Sequence, residues 1–204
     1  MNLVISQSMY FPWVGFLQLL SCADKYVQYD DVQFSKGSFT NRVQIRTQAA
    51  TNWLTLPISG SKALPINQIQ IENSQEVLMK HRNQFIANYR NSPHLNDAIE
   101  LLDRVIASDS GNLSQIAFTS TKVLLEYFQI DKGLEYLNID SLDVRGTGSA
   151  RVLQICTLLG AKNYVSALGG LKYLDHQEFA DAGVEVRYPN YRVEPWLQVT
   201  PPFN

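Results

Sequence analysis

The final third of the chain alternates strand-like and helix-like segments, and this alternation constrains the fold more than any other feature of the sequence. Short apolar runs with the length of strands occur at 134–139, 164–166 and 184–188. Helical patterns separate these runs at 151–159 and 171–182. Gly160 and Gly183 each stand where a helix C-terminal cap is expected. Strands joined through helices predict a parallel sheet with helices packed on it.

The first 72 residues contribute further strand patterns. Buried or alternating strands are expected at 3–5 and 26–29, and a hairpin is expected from 43–45 and 53–56. The runs at 3–5 and 26–29 should join those of the final third in one sheet. The sequence therefore predicts an α/β fold, with a mainly parallel sheet flanked by helices.

Residues 73–131 have helical periodicity throughout. Asn73 with Glu76 has capping-box spacing, Ser92-Pro93 is typical of a second helix start, and Asn112 opens a third helix. We interpret this segment as a helical insertion, or cap, in a single α/β domain that spans 1–204.

Composition excludes several protein classes. With 45% hydrophobic and 18% charged residues, the chain of 204 residues can form a core and is not disordered. The formal net charge of −2 shows no basic excess, so we expect no nucleic-acid partner. The N-terminus lacks the pattern of a signal peptide, and no apolar run is long enough to span a bilayer. Cys22 and Cys156 fit no metal or redox spacing, which predicts buried, reduced thiols and a cytoplasmic location.

The loop after the first strand is the first candidate binding segment. Its candidate residues are Gln7, Tyr10, Trp13 and Gly15. Ligands of parallel sheets bind at the carboxyl ends of strands, where a helix N-terminus also presents free N–H groups to an anion. The alternative is that the aromatic residues belong to the core and that Gly15 only allows close packing.

The segment 30–42 follows the second strand and mixes charges, amides and aromatic rings. Its candidate residues are Asp30, Asp31, Gln33, Lys36, Asn41 and Arg42. Two adjacent carboxylates can hold a metal or accept a proton, whereas Lys36 and Arg42 can neutralise a phosphate or carboxylate. The alternative is a solvated loop with a local salt bridge. Because both candidate segments follow strands, we expect them to emerge at one sheet edge and to line one pocket with partly exposed side chains.

Other motifs are weaker. Gly146-Thr147-Gly148-Ser149 precedes a helix and can bind phosphate, although a flexible loop with a serine cap explains it equally well. No His, Cys and Asp spacing suits a metal, so we expect no metal site. His81 lies on an apolar helical face and is expected in the core.

The two candidate segments resemble the WbqC-like protein family. The motifs that carry the resemblance are Gln7-x-x-Tyr10-x-Pro12-Trp13-x-Gly15-Phe16, Asp24-x-Tyr26-Val27-x-x-Asp30-Asp31-Val32-Gln33-Phe34-x-Lys36 and Asn41-Arg42-Val43-x-Ile45. The similarity continues in Trp53-Leu54-Thr55-Leu56-Pro57-Ile58, Arg151-Val152-Leu153-x-Ile155-Cys156-x-x-Leu159-Gly160-Ala161, Tyr164-Val165-Ser166 and Tyr173-Leu174-Asp175. Two departures from the family pattern are the pair Ser166-Ala167, where Ser-Gly is usual, and the tail 195–204, which we expect to be truncated relative to the family.

The resemblance implies a role in bacterial O-antigen or other surface-polysaccharide biosynthesis. A glycyl or similar small acyl transfer to an amino sugar has been proposed for the family. The expected substrate is then a small molecule, such as a nucleotide-linked amino sugar. A route through an acyl adenylate would use ATP or another nucleotide, but the pattern leaves the cofactor open. The alternative is a non-catalytic nucleotide- or glycan-binding accessory protein. The sequence leaves the oligomeric state open.

Within this hypothesis the candidate residues have distinct roles. Tyr10 and Trp13 would form a platform for a sugar or base, since aromatic faces cover rings well. Asp30 or Asp31 would accept the amine proton, and Lys36 with Arg42 would stabilise negative charge. The remaining substrate-binding candidates are Gln7, Gly15, Gln33, Asn41, Ser166 and Tyr173.

Overall fold

The structure is a computed structural model that describes residues 1–47, 50–58, 60 and 63–191. The strands of this described part are β1 (Asn2–Ser6), β2 (Lys25–Gln28), β3 (Arg42–Arg46), β4 (Thr51–Thr55), β5 (Glu135–Asn138), β6 (Asn163–Val165) and β7 (Glu185–Arg187). Its α-helices are α1 (Val14–Ser21), α2 (Ser74–Tyr89), α3 (Leu95–Ala107), α4 (Leu113–Tyr127), α5 (Gly148–Leu158) and α6 (His176–Asp181). Short 3₁₀-helices occur at Ile66–Gln68, Ile139–Ser141 and Leu168–Lys172.

Five strands form one parallel sheet in the order β5-β2-β1-β6-β7. The central strand β1 therefore has β2 on one side and β6 on the other. The register places Leu3 beside Lys25 of β2 and Tyr164 of β6. Every connection between strands that follow one another along the chain in this sheet contains helices, as parallel strands require. The predicted α/β fold, with a mainly parallel sheet flanked by helices, is confirmed.

The sheet is covered on both faces because alternate side chains point to opposite sides. On one face, Leu3 and Val27 join a buried apolar cluster that includes Ile155 of α5 and Phe179 of α6. On the other face, the ring of Tyr26 packs edge-on against Phe16 of α1, with 6.2 Å between centroids. Burial on both faces explains why β1 appears in the sequence as a continuous apolar run rather than as an alternating pattern.

Contacts divide the chain into two compact units. The described residues of the sheet unit are Met1–Gln7, Trp13–Asp31 and Phe128–Tyr191. The described residues of the helical unit lie within Ser8–Pro12 and Val32–Tyr127. The single domain expected from the sequence stays a prediction, and the expected tail at 195–204 lies outside the described residues.

The helical unit combines an antiparallel hairpin with α2, α3 and α4. Strands β3 and β4 pair from Arg42 opposite Thr55 to Arg46 opposite Thr51, as the sequence predicted. A buried apolar cluster contributed mainly by loops and helices forms the core of this unit, and it includes Leu56, Ile66, Leu78 and Leu113. The Asn112 side chain accepts a hydrogen bond from the backbone N–H of Gln115, so the predicted start of α4 is confirmed.

Three helix starts differ from the sequence prediction. Helix α3 begins at Leu95 with His94 at its N-cap position, two residues after the start predicted from Ser92-Pro93. Asn73 has φ of +50° and makes no side-chain cap bond, because this left-handed conformation differs from the extended backbone that an N-cap requires. The helix predicted at 171–182 is interrupted. Its first part is a 3₁₀-helix, and Asp175 then caps α6 by accepting hydrogen bonds from the backbone N–H groups of Gln177 and Glu178.

Cys22 also differs from the prediction. It lies at the end of α1 and is exposed, whereas Cys156 of α5 is buried as predicted. Burial raises the pKa of the Cys156 thiol to about 12.

In the part of the chain that the structure describes, no helix is both long and apolar enough to cross a membrane.

Candidate functional site

The sheet unit contains a topological switch point between β1 and β6. The connection from β1 leads through α1 to β2, whereas the connection from β6 leads through α6 to β7. Phe16 of α1 packs on one face of the sheet and Phe179 of α6 on the other, so the loops after β1 and β6 lead to opposite faces. Ligands of open α/β sheets bind at such switch points, beyond the carboxyl ends of the strands. We call this end of the sheet the carboxyl edge.

Seven of the sequence candidates belong to the sheet unit and follow its strands. Those at the carboxyl edge are Gln7, Trp13, Gly15, Asp30, Asp31, Ser166 and Tyr173. Gln7 follows β1, the two aspartates follow β2, and Ser166 follows β6. The parallel arrangement therefore brings together candidates that lie far apart in the sequence.

The Trp13 ring lies directly over Gly15 at the start of α1. A Cβ atom at Gly15 would lie 2.2 Å from atoms of the indole, which is too close for any side chain. Trp13 also contacts Tyr191, whose ring packs edge-on against the indole with 5.0 Å between centroids. Trp13 nevertheless remains 50% exposed. The glycine thus leaves room for the indole against the first turn of the helix, while Trp13 still presents surface to solvent.

Asp31 forms a bidentate ion pair with Arg151 of α5. Arg151 Nη1 donates to Asp31 Oδ1 over 3.1 Å, and Nη2 donates to Oδ2. Nη1 also lies 3.3 Å from the Tyr29 hydroxyl, and Arg151 is only 8% exposed. The hydrogen bond with Asp31 is the main reason that the pKa of Arg151 is raised. The pair therefore ties the end of β2 to the first turn of α5.

Asp30 is oriented differently from its neighbour. It is 2% exposed and accepts a hydrogen bond of 2.9 Å from the Gln28 side-chain amide. The two carboxylates therefore have separate partners, the Gln28 amide for Asp30 and the Arg151 guanidinium for Asp31. No group of three or more His, Cys, Asp or Glu side chains within the described ranges could hold a metal.

Tyr173 lies among other tyrosine side chains of the sheet unit. It is exposed, and its electrostatic interaction contributes to raising the pKa of Tyr29, Tyr164 and Tyr188, in each case after the larger effect of burial. Ser166 is buried, and a Cβ atom at Gly170 would lie 2.5 Å from its hydroxyl oxygen. The loop after β6 therefore packs tightly around Ser166 and exposes the ring of Tyr173.

The start of α5 also lies at the carboxyl edge. Gly146 and Gly148 have positive φ values of 98° and 65°, and Thr147 makes no side-chain cap bond. The first N–H groups of a helix have no partner within the helix. This geometry agrees with the sequence hypothesis of a phosphate-binding loop, which stays a prediction.

Tyr10 belongs to the helical unit and differs from its expected exposure. It is 1% exposed, and its hydroxyl lies 3.0 Å from Nδ1 of His81. The expectation of a partly exposed Tyr10 is therefore wrong, because its ring fills the apolar core of this unit. His81 is buried as predicted, and burial lowers its pKa to about 4.

The other candidates of the helical unit lie near the open end of the hairpin. Lys36, Asn41 and Arg42 line one cavity of about 290 Å³. Gln33 instead forms an isolated β-bridge with Pro65 and is exposed. The prediction that segments 7–15 and 30–42 line one pocket stays a prediction, because each segment contributes residues to both units.

Sequence analysis did not select Arg151 or Tyr29 as site residues. Arg151 is the single charged residue of α5, which is otherwise formed by small, polar and apolar residues. A lone arginine in the first turn of a helix that packs on a sheet indicates a buried ion pair, since Arg is almost never buried without a partner. Its partner could not be identified, because Asp31 lies 120 residues away.

Comparison with known proteins agrees with this combination of motifs. The model of the WbqC-like protein family matches residues 7–204. The chain belongs to the WbqC-like protein family. A protein of Mycobacterium tuberculosis (strain ATCC 25618 / H37Rv), named "Uncharacterized protein Rv1507c", is 24% identical over 193 residues, which cover 93% of this chain and 82% of the relative. No solved structure matches the chain. The residues that match the WbqC-like family belong to both units.

Proposed function

We propose that this WbqC-like protein transfers a glycyl or similar small acyl group to the amino group of a sugar. The acceptor is a nucleotide-linked amino sugar, and the reaction takes place in the cytoplasm during assembly of a bacterial surface polysaccharide such as O-antigen. The acid is first activated by ATP, with release of pyrophosphate. The sugar amine then attacks the acyl carbon of the adenylate, loses a proton and expels AMP.

The observation that carries the proposal is the position of Trp13. A half-exposed indole at the switch point offers a flat surface to a base or pyranose ring. The first turn of α1, where this indole lies, also presents backbone N–H groups suited to a phosphate. An aromatic platform next to an anion-binding helix start suits a nucleotide or a nucleotide-linked sugar.

The other groups of the carboxyl edge would have complementary roles. Asp30 would accept the amine proton, whereas the ion pair holds Asp31 in place and makes it a positioning residue. The Tyr173 hydroxyl and the Gln7 amide would bind hydroxyl groups of the sugar. Because Trp13 is half exposed, its loss should lower the affinity for the substrate more than it lowers the stability of the fold.

A non-catalytic binding protein is the second candidate function. It is favoured by the engagement of both aspartates, since Asp30 already accepts a hydrogen bond from the Gln28 amide and Asp31 from the Arg151 guanidinium. Such a protein would bind the nucleotide-linked sugar at the same edge and present it to another enzyme.

Pyrophosphate release distinguishes the two functions. The purified protein is incubated with ATP, glycine and a uridine-diphosphate-linked amino sugar, and pyrophosphate and the acylated sugar are measured. The transferase proposal predicts both products, and it predicts neither when glycine is omitted. Binding of the sugar without pyrophosphate under any combination would support the accessory protein and contradict the transferase.

Trp13→Ala and Phe128→Ala form a matched pair for this assay. Both replace an exposed aromatic side chain of the sheet unit, but Phe128 directly follows α4 rather than a strand of the sheet. Trp13→Ala should raise the KM for the sugar about tenfold or more, as expected when base stacking is lost. Phe128→Ala should leave the KM unchanged. Equal effects of the two substitutions would remove Trp13 from the site.

A further inference from the structure

The cavity at the open end of the hairpin in the helical unit has a chemistry of its own. We propose that it binds a small oxyanion, a carboxylate or phosphate group attached to a compact apolar body. The inference is independent of the proposed function, because every residue that carries it belongs to the helical unit.

The walls of the cavity separate into a cationic part and an apolar part. The cationic part consists of Lys36 and Arg42, and no acidic residue lies among the described residues of the lining. The apolar part consists of Phe34, Leu56, Pro57 and Ile58. Two cations without a carboxylate leave an excess of positive charge that an anion would neutralise. A volume of about 290 Å³ lies at the lower end of the range for ligand sites.

Arg42 is held in position by two contacts that leave one donor unused. Its guanidinium lies 4.1 Å from the centroid of the Trp53 ring, and Nη2 donates to the carbonyl of Gly37. Nε is buried and has no hydrogen-bond partner within the described chain. A buried N–H without a partner is costly, so its presence calls for an acceptor. An oxyanion supplies that acceptor and the opposite charge together.

The loop next to Arg42 supports the same conclusion. The Ser38 hydroxyl is likewise buried without a partner in the part of the chain that the structure describes. It follows Gly37, whose φ of +85° and missing side chain let the Arg42 guanidinium approach closely. The backbone around the cavity is fixed, since the Leu56 N–H donates to the Asn41 carbonyl and the Asn41 amide donates to the Leu56 carbonyl. The backbone beside the cavity is thus held by two hydrogen bonds, and Arg42 Nε is the unused donor that belongs to a lining residue.

The test observes the Arg42 Nε–H resonance by ¹⁵N-resolved NMR while inorganic phosphate or propionate is added to the full chain. Arg42→Lys assigns the resonance by removing it. A saturable shift with either anion is expected. A shift with phosphate alone identifies a phosphate site, and a stronger response to propionate identifies a carboxylate site with an apolar subsite. Absence of a saturable shift with both anions would overturn the inference.

Calorimetric titration of variants provides the second measurement. Arg42→Lys keeps the charge but loses the fork geometry, so the affinity for the bound anion should fall roughly ten- to a hundredfold. Lys36→Gln is an exposed substitution that preserves folding and should also weaken binding. Lys132→Gln removes one exposed positive charge from the sheet unit as the control. Equal affinities for the native chain, Arg42→Lys and Lys36→Gln would contradict the proposed site. If Lys132→Gln lowers the affinity as much as Arg42→Lys and Lys36→Gln do, the anion responds to the overall charge of the protein, and this result would also contradict the proposed site.

Discussion

At the scale of single residues, Gly15 and Trp13 determine each other's geometry. Because a Cβ atom at Gly15 would lie 2.2 Å from the indole, Gly15→Ala should displace the ring from its contact with Tyr191. Losing that aromatic contact should cost about 0.5–1.5 kcal/mol. Alanine favours the helix by up to about 1 kcal/mol, which offsets part of the loss. Urea unfolding should therefore show Gly15→Ala as neutral or destabilising.

The same substitution should act differently once the indole is absent. In Trp13→Ala, Gly15→Ala meets no ring, and only the gain in helix propensity of up to about 1 kcal/mol remains. In the Trp13→Ala background, Gly15→Ala should therefore increase the free energy of unfolding. An identical effect of Gly15→Ala in both backgrounds would show that the two residues do not interact.

His81 should make the stability of the helical unit depend on pH. Burial lowers its pKa to about 4, against a smaller opposite effect of a hydrogen bond to the Thr55 backbone. An unfolded histidine titrates near about 6.5, so between these values the unfolded chain binds a proton that the folded chain does not. Stability should therefore fall by about 3 kcal/mol as the pH decreases from 6.5 to 4.

Two variants isolate this effect from the titration of carboxylates. His81→Gln should be less stable near neutral pH but should lose less stability on acidification. His94→Gln replaces a histidine whose side chain is 79% exposed, and it should keep the native pH dependence. If His81→Gln and the native chain lose equal stability on acidification, His81 does not titrate as its burial requires.

At the scale of elements, the Asp31–Arg151 pair connects β2 with α5. Asp31→Asn leaves a buried guanidinium without its counter-charge and should cost about 2–3 kcal/mol, somewhat less than the 3–5 kcal/mol of fully buried pairs. Urea unfolding of Asp31→Asn, Arg151→Met and the double variant measures the coupling. The double variant should be less destabilised than the sum of the single variants.

The pair of Lys25 and Glu135 offers a matched comparison within the same sheet. It joins β2 to β5 with 2.7 Å between Nζ and Oε2, but its side chains are 26% and 52% exposed. Screening by solvent should keep its coupling below about 1 kcal/mol. If both pairs show the same coupling, burial is not what makes the Asp31–Arg151 contact important.

The elements also show which local signals predict structure well. The strand patterns located the strands of the sheet to within about two residues, and burial on both faces explains the apolar run of the central strand β1. Gly160 and Gly183 adopt positive φ as helix ends require. The predicted start of α6 is wrong. The apolar periodicity of 171–182 continues through the end of a 3₁₀-helix, and the α-helix begins only after Asp175, which caps it.

At the scale of the whole molecule, the sequence predicted the class of fold but not the order of the strands in the sheet. Alternating strands and helices predict a parallel sheet, and the order of its strands then determines which loops share an edge. That order depends on long-range packing, which no local pattern records. Tyr10 and Trp13 illustrate the consequence, since one loop sends Tyr10 into the core of the helical unit and Trp13 to the surface of the sheet unit.

We claim that the carboxyl edge of the sheet binds the nucleotide-linked substrate, and calorimetric titration with a uridine-diphosphate-linked amino sugar measures this binding. Trp13→Ala removes the platform at this edge, whereas Leu158→Ala removes an exposed apolar side chain from the opposite end of α5. We predict saturable binding to the native chain, an unchanged affinity for Leu158→Ala and an affinity at least about tenfold lower for Trp13→Ala. Equal affinity of all three proteins, or the absence of saturable binding to the native chain, would contradict the claim.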